Sequence, residues 1–244
     1  MPTYSWAMRR GSVRFKFSVV RAVAAAAILV AAVGCASKAG APGLDGEPAA
    51  SSAAVVPVRT SVVMVGDSIT DGARPALQFA FSAKGFTDIT IDAQWGRRIS
   101  VGDGSNGPLN GLQAVRNLQA EGKNPDVWVV ALGTNDLGQY GDEVAYAEQI
   151  QQMLALLPAD KPIVWVNTFR ADQFGDTVLY NATLQAQLEA RGNAVLTDWF
   201  AIASPADQQV LTNDGVHPTR DGYGVFGLTV AESLGSLTSA APAG

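Results

Sequence analysis

Three short polar clusters in this 244-residue chain carry residue types that together can perform acyl chemistry. The first is Gly66-Asp67-Ser68, directly after the apolar run Val62 to Val65. The second is Gly133-Thr134-Asn135-Asp136, directly after DVWVVAL (126–132). The third is Asp214-Gly215-Val216-His217-Pro218. A serine hydroxyl becomes a useful nucleophile only beside a neutral base that a third group orients. His217 is the only histidine in the chain and has a carboxylate three residues upstream. In a Gly- and Pro-flanked loop, Asp214 can hold the imidazole Nδ1–H and leave the other nitrogen to take a proton from Ser68. Asn135 supplies a side-chain amide that can donate to a developing oxyanion. A further donor is the backbone N–H of Gly96, in QWGRR (94–98), where glycine permits close approach of the main chain. The N–H of Ser68 is a third. Each residue also has a plainer reading. Asp67 or Ser68 suits a helix cap, Thr-Asn-Asp suits a turn, a lone histidine is often structural, and Gly96 suits an ordinary turn.

The elements around these clusters must bring them to one place. Val62 to Val65 is a β-branched, continuously apolar run, the pattern of a strand covered on both faces. A helical pattern begins at Ala73. Further strands are expected at 88–93 (DITIDA), 126–132, 162–167 (PIVWVN) and 194–198 (AVLTD). Helices are expected at 109–121, 143–157, 178–190 and 219–234, the second stopped by Pro158 and the third by Gly192. Apolar strands alternating with helices predict a five-stranded parallel sheet with helices on both faces. In such sheets ligands sit at the carboxyl ends of the strands. The Ser68 and Asn135 clusters follow strands there, and the first places Ser68 beside the free N–H groups of the next helix.

Composition bounds the chemistry. The formal charge is −5, which leaves no basic footprint for nucleic acid. With one Cys and one His, a metal site built from several Cys and His ligands is unavailable. A site made only of carboxylates stays open, but no loop is spaced for one. A disulfide within the chain is equally unavailable.

The N-terminal segment reads as targeting. Arg9, Arg10, Arg14, Lys16 and Arg21 precede an unbroken apolar run of 12 residues, 22–33. A helix crossing a bilayer needs about 20, so 1–35 is expected to be a signal peptide. Ala32-Val33-Gly34-Cys35 resembles a bacterial lipobox, with Ala32 where Leu is usual. The resemblance implies lipidation of Cys35, a membrane partner through an N-terminal lipid anchor, and a place on the outer face of the cytoplasmic membrane. The alternatives are a chance Cys near an ordinary cleavage site and an uncut anchor. Residues 36–60 are rich in Ala, Pro, Gly and Ser and read as a flexible tether. Residues 61–236 form the folded domain, and 237–244 a disordered tail.

The clusters, taken in order, resemble the GDSL/SGNH hydrolase family. GDSIT (66–70) is similar to its nucleophile block, Gly96 to its glycine block, GTND (133–136) to its asparagine block and DGVHP (214–218) to its Asp-x-x-His block. The resemblance spans 61 to about 234. It implies a flavodoxin-like three-layer α/β/α fold and ester hydrolysis without a cofactor. It also implies Ser68, Asp214 and His217 as the triad, and Ser68, Gly96 and Asn135 as oxyanion donors. Leu is replaced by Ile69 at the fourth motif position, a change that does not touch the chemistry. Thr70 rules out a GxSxG nucleophile elbow, which needs Gly there. DAQWGRR (92–98), PIVWVNTFR (162–170) and VLTDWFAIA (195–203) further resemble the SGNH domains of bacterial cell-surface O-acyltransferases. That likeness points to short acyl groups, including O-acetyl groups of envelope carbohydrate, with acyl transfer as the alternative. A third reading is an envelope-binding lipoprotein without catalysis on the same fold. Trp95, Arg97, Arg98, Phe169, Arg170 and Trp199 are expected to line the acyl or sugar pocket. Trp199 and Phe169 suit core packing equally, and Arg97 and Arg98 suit a solvated surface.

Overall fold

The computed structural model describes residues 58–239. The expected signal peptide, Cys35 and nearly all of the tether lie outside the described residues, as do 240–244 of the expected tail.

Five strands form one parallel sheet in the order β2-β1-β3-β4-β5. They are β1 Ser61–Gly66, β2 Asp88–Ala93, β3 Val127–Ala131, β4 Ile163–Val166 and β5 Ala194–Thr197. The helices are α1 Ser68–Ala83, α2 Gly111–Ala120, α3 Glu143–Leu156, α4 Phe174–Arg191, α5 Trp199–Ala203 and α6 Arg220–Ser239. A single 3-10 turn, Ala171–Gln173, precedes α4.

The strand sequences explain the layering. Side chains alternate between the faces of a sheet. Val62 and Met64 of β1, Val127 and Val129 of β3, and Val164 and Val166 of β4 enter one core with α1, α5 and α6. Val63 and Val65, Trp128 and Val130, and Ile163 and Trp165 enter the other core with α2, α3 and α4. Both faces are therefore apolar, which is why the strands read as unbroken runs. The three-layer α/β/α reading is what the chain adopts.

Three helix boundaries depart from the sequence expectation by four residues or more, and α5 was not expected. α1 starts at Ser68 and not at Ala73. Asp67 caps it, its Oδ1 accepting from the Ile69 N–H at 3.0 Å. Gly72, which reads as a helix breaker, is required by packing: a Cβ there would lie 2.3 Å from the Tyr223 ring of α6. A Cβ on Gly227 of α6 would lie 3.0 Å from Ala76. α4 starts at Phe174, four residues before Val178, with Asp176 favouring its positive N-terminal dipole. α6 runs to Ser239, beyond Leu234.

Sequence order leaves β1 toward β2 on one side and toward β3 on the other. This reversal opens a crevice at the carboxyl ends of β1 and β3. Ser68 follows β1 and Asn135 follows β3.

Candidate active site

A tight strand-to-helix turn places Ser68. Gly66 ends β1, and any Cβ there would lie 2.0 Å from Thr70 Oγ1, so only glycine fits. Asp67 is the cap, and Ser68 is the first residue of α1. A first helical residue has no carbonyl behind it within the helix. Among the described residues the Ser68 N–H has no hydrogen-bond partner.

His217 arrives on a loop that folds on itself. The Thr212 N–H donates to His217 O at 2.8 Å, and the Gly215 N–H to Thr212 O at 3.0 Å. Asp214 uses its two oxygens for different tasks. Oδ1 accepts from the Val216 and His217 N–H groups, each at 2.9 Å, and from the Thr212 hydroxyl at 2.8 Å. Oδ2 faces His217 Nδ1 at 2.7 Å. Burial alone would raise this carboxyl, but the His217 ring, the two N–H groups and the Thr212 hydroxyl outweigh it. They hold Asp214 well below the usual carboxylate range. An ionised carboxylate only accepts, so Nδ1 carries the proton. Nε2 then presents its lone pair to Ser68 Oγ, 3.0 Å away. Ser68, His217 and Asp214 thus stand in one hydrogen-bonded line. Side-chain exposure of 41% for His217 and 50% for Asp214 leaves the line open to solvent and to a substrate.

Asn135 reaches the same strand edge. Its Nδ2 donates to Arg97 O at 3.1 Å and stands 3.4 Å from Asp67 Oδ2, longer than an ordinary bond. One amide N–H is thus anchored while the other is loosely held. Gly96 has φ of +71°, a left-handed conformation that favours glycine. Its N–H has no partner among the described residues. Ser68, Gly96 and Asn135 therefore each bring an N–H to the edge formed by β1, β2 and β3.

Two buried charged residues hold this edge. Arg97 is fully buried and is neither a surface charge nor a pocket residue. It donates to Gly66 O at 3.3 Å, Asp92 O at 2.9 Å, Leu109 O at 3.0 Å and Asp92 Oδ1 at 2.8 Å. It bolts the Gly96 loop to the end of β1. Asp136 is also buried, accepting from the Ile99 N–H at 3.1 Å and from Arg98 Nε at 3.3 Å. Burial pushes the Asp136 carboxyl up to about 6, and does the same to Asp67. Arg98 is half-buried, bonded to the Tyr140 hydroxyl at 3.0 Å and stacked over its ring. No sequence signal marks Arg97 as buried. The position of Asp136 next to Asn135 was a usable clue.

The remaining expected pocket residues separate. Trp199 and Phe169 are core. Arg170 grips Asp172 through two hydrogen bonds. Its neighbour, the Ala171 N–H, donates to Gly215 O at 3.0 Å, steadying the His217 loop. Trp95 projects into solvent, 73% exposed. Among the described residues no cluster of His, Cys, Asp or Glu could hold a metal ion.

Comparison with known proteins agrees with this architecture. A comparison with curated protein sequences gives no match. The fold is similar to that of the C-terminal catalytic domain of peptidoglycan O-acetyltransferase A from Streptococcus pneumoniae. The TM-score is 0.59 at 18% identity, over 74% of this chain and 96% of that one. A carbohydrate acetylesterase from Sinorhizobium meliloti has a TM-score of 0.59 at 16% identity, covering 73% of this chain and 100% of its own. The aryl esterase of M. smegmatis has 0.59 at 15% identity, covering 73% and 99%. The model of the GDSL-like lipase/acylhydrolase family matches residues 64–225, which contain the Ser68, Asn135 and His217 clusters. The chain belongs to the GDSL-like lipase/acylhydrolase family, the SGNH-fold ester hydrolases.

Proposed function

We propose that this protein hydrolyses short-chain carboxylic esters, including O-acetyl esters of envelope carbohydrate, through a Ser68-His217-Asp214 triad. The observation that carries the reading is the unbroken line Oγ–Nε2 at 3.0 Å and Nδ1–Oδ2 at 2.7 Å. His217 takes the Ser68 proton as Oγ attacks the ester carbonyl, and the carbonyl oxygen becomes an oxyanion. The N–H groups of Ser68 and Gly96 and the Asn135 amide receive that charge. A single such donor typically lowers the barrier by about 3 kcal/mol. The imidazolium returns its proton to the leaving alkoxide, and Asp214 stabilises the cation meanwhile. Water then enters, gives its proton to His217, and releases the acid with Ser68 restored. No cofactor takes part in these steps.

Short acyl groups fit the surroundings. The cavity behind Asp67, bordered by Thr134, Thr168 and Trp199, measures only about 10 Å³. A volume of that size holds about one water and no long acyl chain. Ser68→Ala should abolish p-nitrophenyl acetate hydrolysis and fluorophosphonate labelling while leaving the unfolding midpoint in place. Activity surviving in that variant would refute the triad.

Acyl transfer to an envelope polysaccharide is the second reading, favoured by the likeness in fold to the peptidoglycan O-acetyltransferase domain. A labelled acetyl donor offered with an oligosaccharide acceptor separates the two, since hydrolysis alone releases only free acetate. The sequence reading of 1–35 adds a lipid anchor at Cys35, placing the enzyme on the outer face of the cytoplasmic membrane. Incorporation of labelled fatty acid into the wild type and not into Cys35→Ala would support it. A purely binding lipoprotein would fail the fluorophosphonate test.

A further inference from the structure

The exposed indole of Trp95 is held still. Its Nε1 donates to Asp71 Oδ2 at 2.8 Å. Asp71 Oδ1 accepts from Arg74 Nη2 at 2.9 Å, and Arg74 Nη1 donates to Ile91 O at 2.6 Å. A large apolar ring in water is ordinarily free to fold down onto the surface. Here a chain of three polar contacts fixes the ring to both α1 and β2.

Its position is equally specific. Gly66 and Ala93 are the last paired residues of β1 and β2. Ser68 and Trp95 each lie two residues beyond that pair, on strands about 4.8 Å apart. Asp71, which holds the ring, is three residues after Ser68 on α1, and Gly96, with its unpartnered N–H, follows Trp95 directly. Beyond Gly96 opens a cleft of about 360 Å³ bordered by Arg98, Asp103, Ser105 and Asn106 and by the apolar Val101 and Pro108. An aromatic plate thus directly precedes Gly96 in the chain, and a cleft with both polar and apolar lining borders Gly96.

We infer that Trp95 is the platform on which a pyranose ring of the ester's alcohol part stacks, with the 96–108 loop receiving its hydroxyls. A pyranose has one face of axial C–H bonds, slightly positive, which suits the negative face of an indole. Its edge carries hydroxyls, which suit a carboxylate, a guanidinium, an amide and a serine. The inference rests on the ester-hydrolase reading of Ser68 and adds the residue that seats the sugar.

The test compares acetate release from O-acetylated xylotetraose with that from ethyl acetate, whose alcohol is too small to reach the indole. In Trp95→Ala the ratio of the two kcat/KM values should fall about tenfold, chiefly through KM for the sugar ester. Asp71→Ala, which keeps the ring but frees it, should lower the ratio about threefold. A ratio within about twofold of wild type in Trp95→Ala overturns the proposal, because a merely structural loss lowers both substrates alike. Should the wild type hydrolyse neither ester, the Ser68 reading fails and binding decides the platform separately. Fluorescence titration of Ser68→Ala with xylotetraose should then give about tenfold tighter binding than the Ser68→Ala/Trp95→Ala double variant. Equal affinity overturns the platform.

Discussion

Asp214→Asn separates two duties that a deletion would confound. The amide oxygen can still accept from Thr212, Val216 and the His217 N–H, so the loop keeps its shape. The amide nitrogen replaces the oxygen that lay 2.7 Å from Nδ1. An amide N–H only donates, so Nδ1 must become the acceptor and the ring proton must move to Nε2. Nε2 then points a hydrogen at Ser68 Oγ, and the base is gone. Recovering the working tautomer would set two donors face to face and leave both unpaired, at about 1–3 kcal/mol each. Together with the lost support for the imidazolium, about 4–5.5 kcal/mol disappears, equivalent to about 10³- to 10⁴-fold in kcat. Stability should change by less than about 1 kcal/mol. Asp214→Ala, by contrast, removes the loop contacts and should also lower stability by about 1–3 kcal/mol. The assay is the kcat for p-nitrophenyl acetate beside urea unfolding of both variants. An Asp214→Asn enzyme keeping more than about a tenth of wild-type kcat would refute the tautomer argument. So would equal destabilisation by the two substitutions.

Three further expectations follow from the geometry. Gly133 has φ of +125°, and a Cβ there would lie 2.4 Å from the buried Tyr180 ring, so Gly133→Ala should cost about 3–5 kcal/mol in urea unfolding. A loss below about 1 kcal/mol would show that the ring moves freely. Gly215→Ala combines φ of +68° with a 2.6 Å approach to the Ala171 Cβ. It should lower kcat by displacing the His217 loop, and adding Ala171→Gly should restore part of that loss; no restoration would deny the contact. Asp67 and Asp136 bind a proton more tightly folded (about 6) than unfolded (3.8). Their stabilisation is complete below 3.8 and fades as pH rises through about 6, by up to about 3 kcal/mol for each carboxyl. The urea midpoint should be higher at pH 5 than at pH 8, and Asp136→Asn should flatten the difference. Asp214 acts in the opposite sense, its contribution being lost only as pH falls below 3.8.

What could be read beforehand depended on how local the cause was. Strands β1, β3 and β4 announced themselves because burial on both faces leaves no polar alternation. Asp214 and His217 were legible as a unit because a single turn joins them. The start of α1 was obscured: Gly72 weighs against a helix in isolation, and only the Tyr223 ring, far along the chain, accounts for it. Arg97 was misread for the same reason. A guanidinium is ordinarily solvated, and its burial follows from three carbonyls and a carboxylate converging from β1, β2 and the 101–109 loop. The exposure of Trp95 and the burial of Trp199 likewise depend on neighbours that no window of sequence contains.

Ser68 and His217 are 149 residues apart, yet Ser68 opens α1, His217 lies just before α6, and the two helices lie against one another. Their separation is thus set by a single crossing, sealed where Gly72 meets Tyr223 and Gly227 meets Ala76. A helix slipping by one residue travels about 1.5 Å, which already exceeds the tolerance of a hydrogen bond. Seating of the last helix therefore fixes the distance between the Ser68 hydroxyl and the His217 imidazole.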